Sequence, residues 1–126
     1  MNFDKLTEKT KSLLQQAQTL AMRSDHQSLE PEHLLKCMLD DEDGLTAKLL
    51  GNSNADITAL RKSIDRALAK FPSVDGPGAG QLRLSSDLAK IIDNALKLAE
   101  KSGDKFVTVE RVLQSMVLAK KSDVGG

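Results

Sequence analysis

The chain has 126 residues, one domain's worth, and its 18 basic and 18 acidic side chains cancel, which excludes a bulk electrostatic pull toward nucleic acid or anionic lipid. There is no Trp and no Tyr, so the core must be aliphatic, and the lone Cys37 excludes an internal disulfide and fits a reducing, cytoplasmic setting. No signal-peptide pattern opens the chain, and no stretch approaches the ~20 apolar residues of a membrane span.

In chain order, the spacing of Leu13, Leu14, Ala17, Leu20 and Ala21 predicts a first helix over 7–23 with Thr7 as N-cap. Residues 24–28 are a polar turn. Glu30-Pro31-Glu32 opens a second helix, with proline at the position that has no amide to lose. Its buried face is Leu34, Leu35, Met38 and Leu39. The acidic run 40–43 before Gly44 ends it. A short third helix covers 45–50 and stops at Gly51. Asn54 or Asp56 caps a fourth, with Ile57, Leu60, Ile64, Ala67, Leu68 and Phe71 as its stripe and Pro72 as its stop. Residues 73–81 contain Gly76-Pro77-Gly78-Ala79-Gly80 and read as a linker. Ser85 or Ser86 caps a fifth helix to about Lys101, carrying Leu88, Ile91, Ile92, Ala95, Leu96 and Ala99. Gly103-Asp104-Lys105 is a turn. Thr108 caps a sixth helix bearing Val109, Val112, Leu113, Met116 and Val117.

The segment 6–41 recurs without a gap as 84–119, an offset of 78 residues. Leu6, Ala17, Leu20, Ala21, Ser24, Glu32, Leu35 and Met38 meet the same residue types at Leu84, Ala95, Leu98, Ala99, Ser102, Glu110, Leu113 and Met116. Such a duplication predicts two similar helical units related by a pseudo-two-fold with a seam between them. The organisation expected is one domain over 1–126: a four-helix first repeat over 1–71, a linker over 72–83, and an incomplete two-helix second repeat over 84–126. Nothing after Ser122 matches the third and fourth helices. The chain is therefore expected to be a fragment of a longer protein, with apolar surface left exposed or covered by another copy.

Few constellations carry chemistry. His33 and Cys37 share a helix face at a spacing that can hold zinc, but a site needs a third ligand and only His26 is available. A surface His33 and a packing Cys37 are the plainer reading, and no metal is expected. No third group orients a Cys–His pair, so no catalytic residue and no enzyme is expected. The acidic run 40–43 fails the calcium-loop pattern, with Leu39 and Leu50 at ligand positions, and reads as a solvated helix end. The glycine-rich 76–80 lacks the Gly-Lys-Ser/Thr ending of a phosphate loop. Glu32 and Glu110 are repeat-equivalent and each sits in the first turn of a helix. They either complement the helix N-terminus, worth ~0.3–1 kcal/mol, or flank the seam as ligand carboxylates.

The opening Phe3-Asp4-Lys5-Leu6-Thr7-Glu8-Lys9, then Ala17-Gln18-Thr19-Leu20-Ala21 and Glu30-Pro31-Glu32-His33-Leu34-Leu35, resembles the amino-terminal domain of Clp ATPases over essentially the whole chain. The linker 76–80 and Lys101-Ser102-Gly103-Asp104-Lys105-Phe106 are similar to its ClpB, or disaggregase, branch. Val109-Glu110-Arg111-Val112-Leu113 departs from the ClpC pattern. The resemblance implies an all-α double Clp-N repeat fold, its second repeat truncated, at the front of a hexameric ATP-driven ring. It implies capture of unfolded or aggregated polypeptide, contact with the rest of the hexamer, and a possible adaptor protein. ATP and magnesium belong to the parent protein, and this fragment takes no cofactor; neither nucleic acid nor membrane is an expected partner. The substrate-binding residues implied are Thr7, Asp104 and Glu110, beside an apolar patch at Ile92 and Arg111. Arg111 stands where the patch has an aliphatic residue, although an arginine stem can also cover apolar surface. The alternative implied is an adaptor-docking or phosphoarginine-binding regulatory domain of the ClpC/ClpA type, with Glu32 and Glu110 as its carboxylates.

Overall fold

A computed structural model describes residues 3–52, 56–73 and 82–125, with the side chains of 3, 52 and 120–125 set aside. After one helical turn at Phe3–Lys5 come α1 (Glu8–Arg23), β1 (Ser28–Leu29), α2 (Pro31–Asp40), α3 (Leu45–Asn52), α4 (Ile57–Lys70), β2 (Arg83–Leu84), α5 (Ser86–Lys101) and α6 (Val109–Gly125). The expected caps form. Thr7 accepts from the Thr10 amide, Asp56 from Ala59 at 3.0 Å, Ser85 from Leu88 at 3.1 Å, and Thr108 from Arg111 at 3.3 Å. Each satisfies an amide that the helix leaves without a partner. Asn54 and most of the linker 72–83 lie outside the described residues.

The duplication is visible in backbone geometry. Leu6 pairs in parallel with Val107, and Leu29 in parallel with Leu84. Shifting either pairing by the repeat offset gives the other. The Thr7 amide donates to Val107 O at 3.1 Å, and its counterpart Ser85 donates to Leu29 O at 3.1 Å. Both first helices end in the same turn. Asp25 (φ 58°) and Gly103 (φ 76°) are equivalent and left-handed. The next amides, His26 and Asp104, return to Ala21 O and Ala99 O at 2.9 and 2.8 Å. The two-residue strands carry no periodic signal in sequence, because alternation needs a longer run to be read.

The core runs across the seam: Leu6, Leu13, Ala17, Leu34 and Met38 from the first repeat, and Leu88, Ile92, Ala95, Val107 and Val112 from the second. Ser115 Oγ donates to Ile91 O at 2.6 Å and ties α6 to α5. The repeats differ where α4 lies against α2. Leu39 on α2 is 3% exposed, whereas its counterpart Val117 is 41% exposed and the adjacent Leu118 49%. Among the described residues no helix covers α6 as α4 covers α2, so the expected bare apolar surface is present.

Two expectations are corrected. Gly51 does not stop α3, which continues to Asn52; its backbone is not left-handed, and an added Cβ would meet nothing within 4 Å. Gly51→Ala should therefore raise stability by about 0.5–1 kcal/mol in urea titration, by reducing the chain entropy lost on folding. The acidic end of α2 is not simply solvated. Lys9 pairs with Asp41 and Asp43 at 2.6 and 3.1 Å, which raises the Lys9 pKa. Arg61 pairs with Asp40 and donates to Leu39 O at 2.9 Å. Two cations thus offset charges that oppose the helix dipole.

Candidate functional site

A cleft of about 590 Å3 opens between the repeats. Its walls are Leu35 of α2, Leu60, Ile64 and Ala67 of α4, Ile91 of α5 and Met116 of α6, and Glu32 and Asp87 stand on it with Lys90. The placement follows from the fold. Pro31 starts α2 and Ser85 caps α5, so both helices begin beside the β1–β2 pairing and aim their first turns at one mouth. Burial pushes the Glu32 carboxyl up from its ordinary value; a backbone hydrogen bond opposes this, and the nearby charges of Glu30 and Asp87 add to it. Glu32 has no cationic hydrogen-bond partner among the described residues. The cleft thus sets aliphatic walls beneath a lip that carries two carboxylates and one ammonium.

The residues implied as substrate-binding gather around the other pairing, Leu6 with Val107. Thr7 Oγ1 lies 2.7 Å from Thr10 Oγ1, which donates onward to Val107 O at 3.2 Å. Asp104 accepts from Arg111 Nε at 3.0 Å, and Arg111 also donates to Gln114 Oε1 at 2.9 Å. Glu110, in the first turn of α6, is exposed. Thr7, Asp104, Glu110 and Arg111 are thus one neighbourhood, but Thr7, Asp104 and Arg111 are already engaged with protein groups. Ile92 does not belong to a surface patch: it is 1% exposed and packs in the core, because α5 turns that face toward α6. Exposed apolar surface nearby comes from Phe106, which the sequence reading passed over. It stands with Lys5, Leu96 and Asp104 around a smaller hollow of about 120 Å3. Glu32 lines the large cleft and Glu110 does not, so the two carboxylates do not share it.

These neighbourhoods are repeat counterparts. Thr7, Asp104, Glu110 and Arg111 correspond to Ser85, His26, Glu32 and His33. The first-repeat mouth is deep because α4 supplies a wall. The second is shallow because no described helix does so.

His33 is a further correction. It is fully buried rather than a surface residue, with its ring tilted against that of His26 in the turn that precedes α2, centroids 5.0 Å apart. The Glu30 amide donates to His33 Nδ1 at 2.9 Å, and His33 Nε2 faces His26 Nδ1 at 2.8 Å. Since Nδ1 must accept, the proton sits on Nε2 and is donated to His26. Burial, with a smaller contribution from His26, pushes the His33 pKa down to about 4. Cys37 packs half-buried against the core, and burial pushes its thiol up, away from the nucleophilic thiolate. His33 was legible only as a residue three after Glu30, the spacing of a reciprocal helix cap.

Two helical repeats that enclose a cleft with aliphatic walls and a charged lip define an all-α repeat domain with a candidate binding cleft. Residues 5–125 match the family model of the Clp repeat (R) N-terminal domain, and the chain belongs to that family. It is 46% identical over 125 residues to the chaperone protein ClpB of Rhodopseudomonas palustris, covering 99% of this chain and 14% of that protein, so it spans about a seventh of the relative's length. Its fold is that of the N-terminal domain of the ClpV1 ATPase from E. coli (TM-score 0.80, 20% identity, 90% of this chain and 68% of that one). It is likewise that of the Hsp104 N-terminal domain from Candida albicans (TM-score 0.80, 19% identity, 93% and 76%). No helix among the described residues is long and apolar enough to cross a membrane.

Proposed function

We propose that this domain captures unfolded or aggregated polypeptide for the ATP-driven hexamer of a ClpB-type disaggregase in the cytoplasm. The observation that carries the reading is the cleft on Glu32 and Asp87, where aliphatic walls meet carboxylates. An extended segment bearing an apolar stretch and a basic side chain satisfies both. Thr7, Asp104, Glu110 and Arg111 form a second, shallower contact strip, with Phe106 as its apolar element. Weak binding at each place suits a module repeated around a ring, where linked sites supply avidity. Nucleotide and magnesium act in the parent's ATPase modules, and an adaptor reaches the same exposed strip.

The test is fluorescence anisotropy of a labelled, permanently unfolded model protein. Ser63→Arg places a long cation on the exposed α4 edge of the cleft, and Glu32→Gln removes the acid. Together they should weaken binding roughly tenfold, about 1.4 kcal/mol, with unchanged helicity. Thr7→Ala with Asp104→Ala should weaken it less. Unchanged binding in both variants overturns the reading. Saturable binding of free phosphoarginine, lost in Glu32→Ala with Glu110→Ala, would instead support the regulatory alternative.

A further inference from the structure

We propose that the His26–His33 pair is an acid-released latch that holds the C-terminal end of α4, and with it one wall of the cleft, against the α1–α2 turn. The geometry is specific. The Phe71 ring that ends α4 lies 5.5 Å from the His26 ring, edge to face, and 5.6 Å from that of His33. Beyond it, Ser73 pairs with the His26 backbone, and its hydroxyl donates to Ser24 O at 3.2 Å. The same helix presents Leu60, Ser63, Ile64 and Ala67 to the cleft.

The hydrogen bonds work only when both rings are neutral. A protonated His33 would aim an N–H from Nδ1 at the Glu30 amide, donor against donor. A protonated His26 would aim one from Nδ1 at the proton on His33 Nε2. Neither arrangement leaves an acceptor between the groups. The titratable residues the structure places against His33 are His26 in the turn and Glu30, the N-cap of α2, whose amide meets its Nδ1; the C-cap of α4 contributes the neutral Phe71 ring. His26 is the side chain whose charge acts on His33, and it disfavours a proton there.

The second repeat makes the contrast. The equivalent positions hold Asp104 and Arg111, paired at 3.0 Å. The pair occupies the same place, joining turn to helix, with no histidine in it. Acid therefore loosens one repeat and not the other. Its effect on capture rests on the reading of the cleft given above, whereas the latch does not.

Hydrogen exchange of the 126-residue protein at pH 7.5 and 5.0, corrected for intrinsic rates, tests the latch. With His33 held near 4 when latched and at 6.5 when released, segment 66–73 should exchange roughly 25-fold faster at pH 5.0. Segment 104–111 should change less than about twofold. Substituting the second repeat's solution, His26→Asp with His33→Arg, should abolish the difference. Should that variant fail to fold, imidazole NMR titration of the unmodified protein decides: the backbone signals of Phe71 and Ser73 must shift together with the histidine protons. Equal protection of 66–73 at both pH values, or His33 titrating near 6.5 without those shifts, overturns the latch. Faster exchange with unaltered capture of the unfolded protein would leave the latch standing and sink the cleft reading.

Discussion

Lowering the pH from 7.5 to 4.5 should remove about 2.5 kcal/mol of unfolding free energy through His33 alone. The folded state holds this imidazole near 4 against 6.5 when free. Below pH 6.5 the unfolded chain therefore takes a proton that the folded chain refuses. The contribution is fully present above the unfolded value, is lost as pH falls, and stops changing below the folded value. Burial is the main cause, and the ring is fully covered. Glu32 acts in the opposite sense: its carboxyl is raised by folding, so the folded state holds that proton more tightly and regains part of the loss in the acid range. Urea titrations at half-unit pH steps measure the slope. His33→Gln should lower stability at pH 7.5 and flatten the curve between 6.5 and 4.5. A wild-type curve already flat there would remove the buried, neutral assignment.

Leu6→Ala should cost about 2–5 kcal/mol, whereas Leu84→Ala should cost less than about 1. The two leucines are the same residue in equivalent positions of the duplication. Leu6 is enclosed by both repeats at the Leu6–Val107 pairing, while Leu84 is 38% exposed beside Leu29. Truncating Leu6 leaves a cavity that close packing does not readily close. Truncating Leu84 leaves a surface dent that water fills. Thermal or urea unfolding of the two variants gives the comparison directly. Equal costs would mean that the pseudo-symmetric halves are buried alike, contrary to the surroundings of the two side chains.

Much of the helical frame was legible because its signals are local. Thr7, Asp56, Ser85 and Thr108 cap as short polar residues do before apolar periodicity, and Pro72 forces Phe71 into extended backbone. The duplication was legible because it repeats in register. What lay beyond sequence was side-chain destination. Leu39 and Val117 look alike as helical apolar residues at equivalent positions, yet one is core and the other surface, because among the described residues a covering helix stands over the first repeat and not the second. His33 reads as exposed because histidine usually is; the acceptor for its proton, His26, and the ring tilted against it, Phe71, come from other elements. Phe106 was overlooked because an isolated aromatic in a turn has no periodic context. The cleft itself assembles from four helices, and no window of sequence contains it.

The crossed strand pairings bear on how this domain holds together. The partner of Leu6 is Val107 and the partner of Leu29 is Leu84, so among the described residues neither repeat contains a complete strand pair. In stacked solenoids stability is close to a sum over units and their neighbours. Here each half supplies the edge that the other lacks, in the manner of an isologous dimer whose two chains have been fused. Folding and unfolding then become a single concerted event, set by closure of the loops between distant partners rather than by the strength of either half.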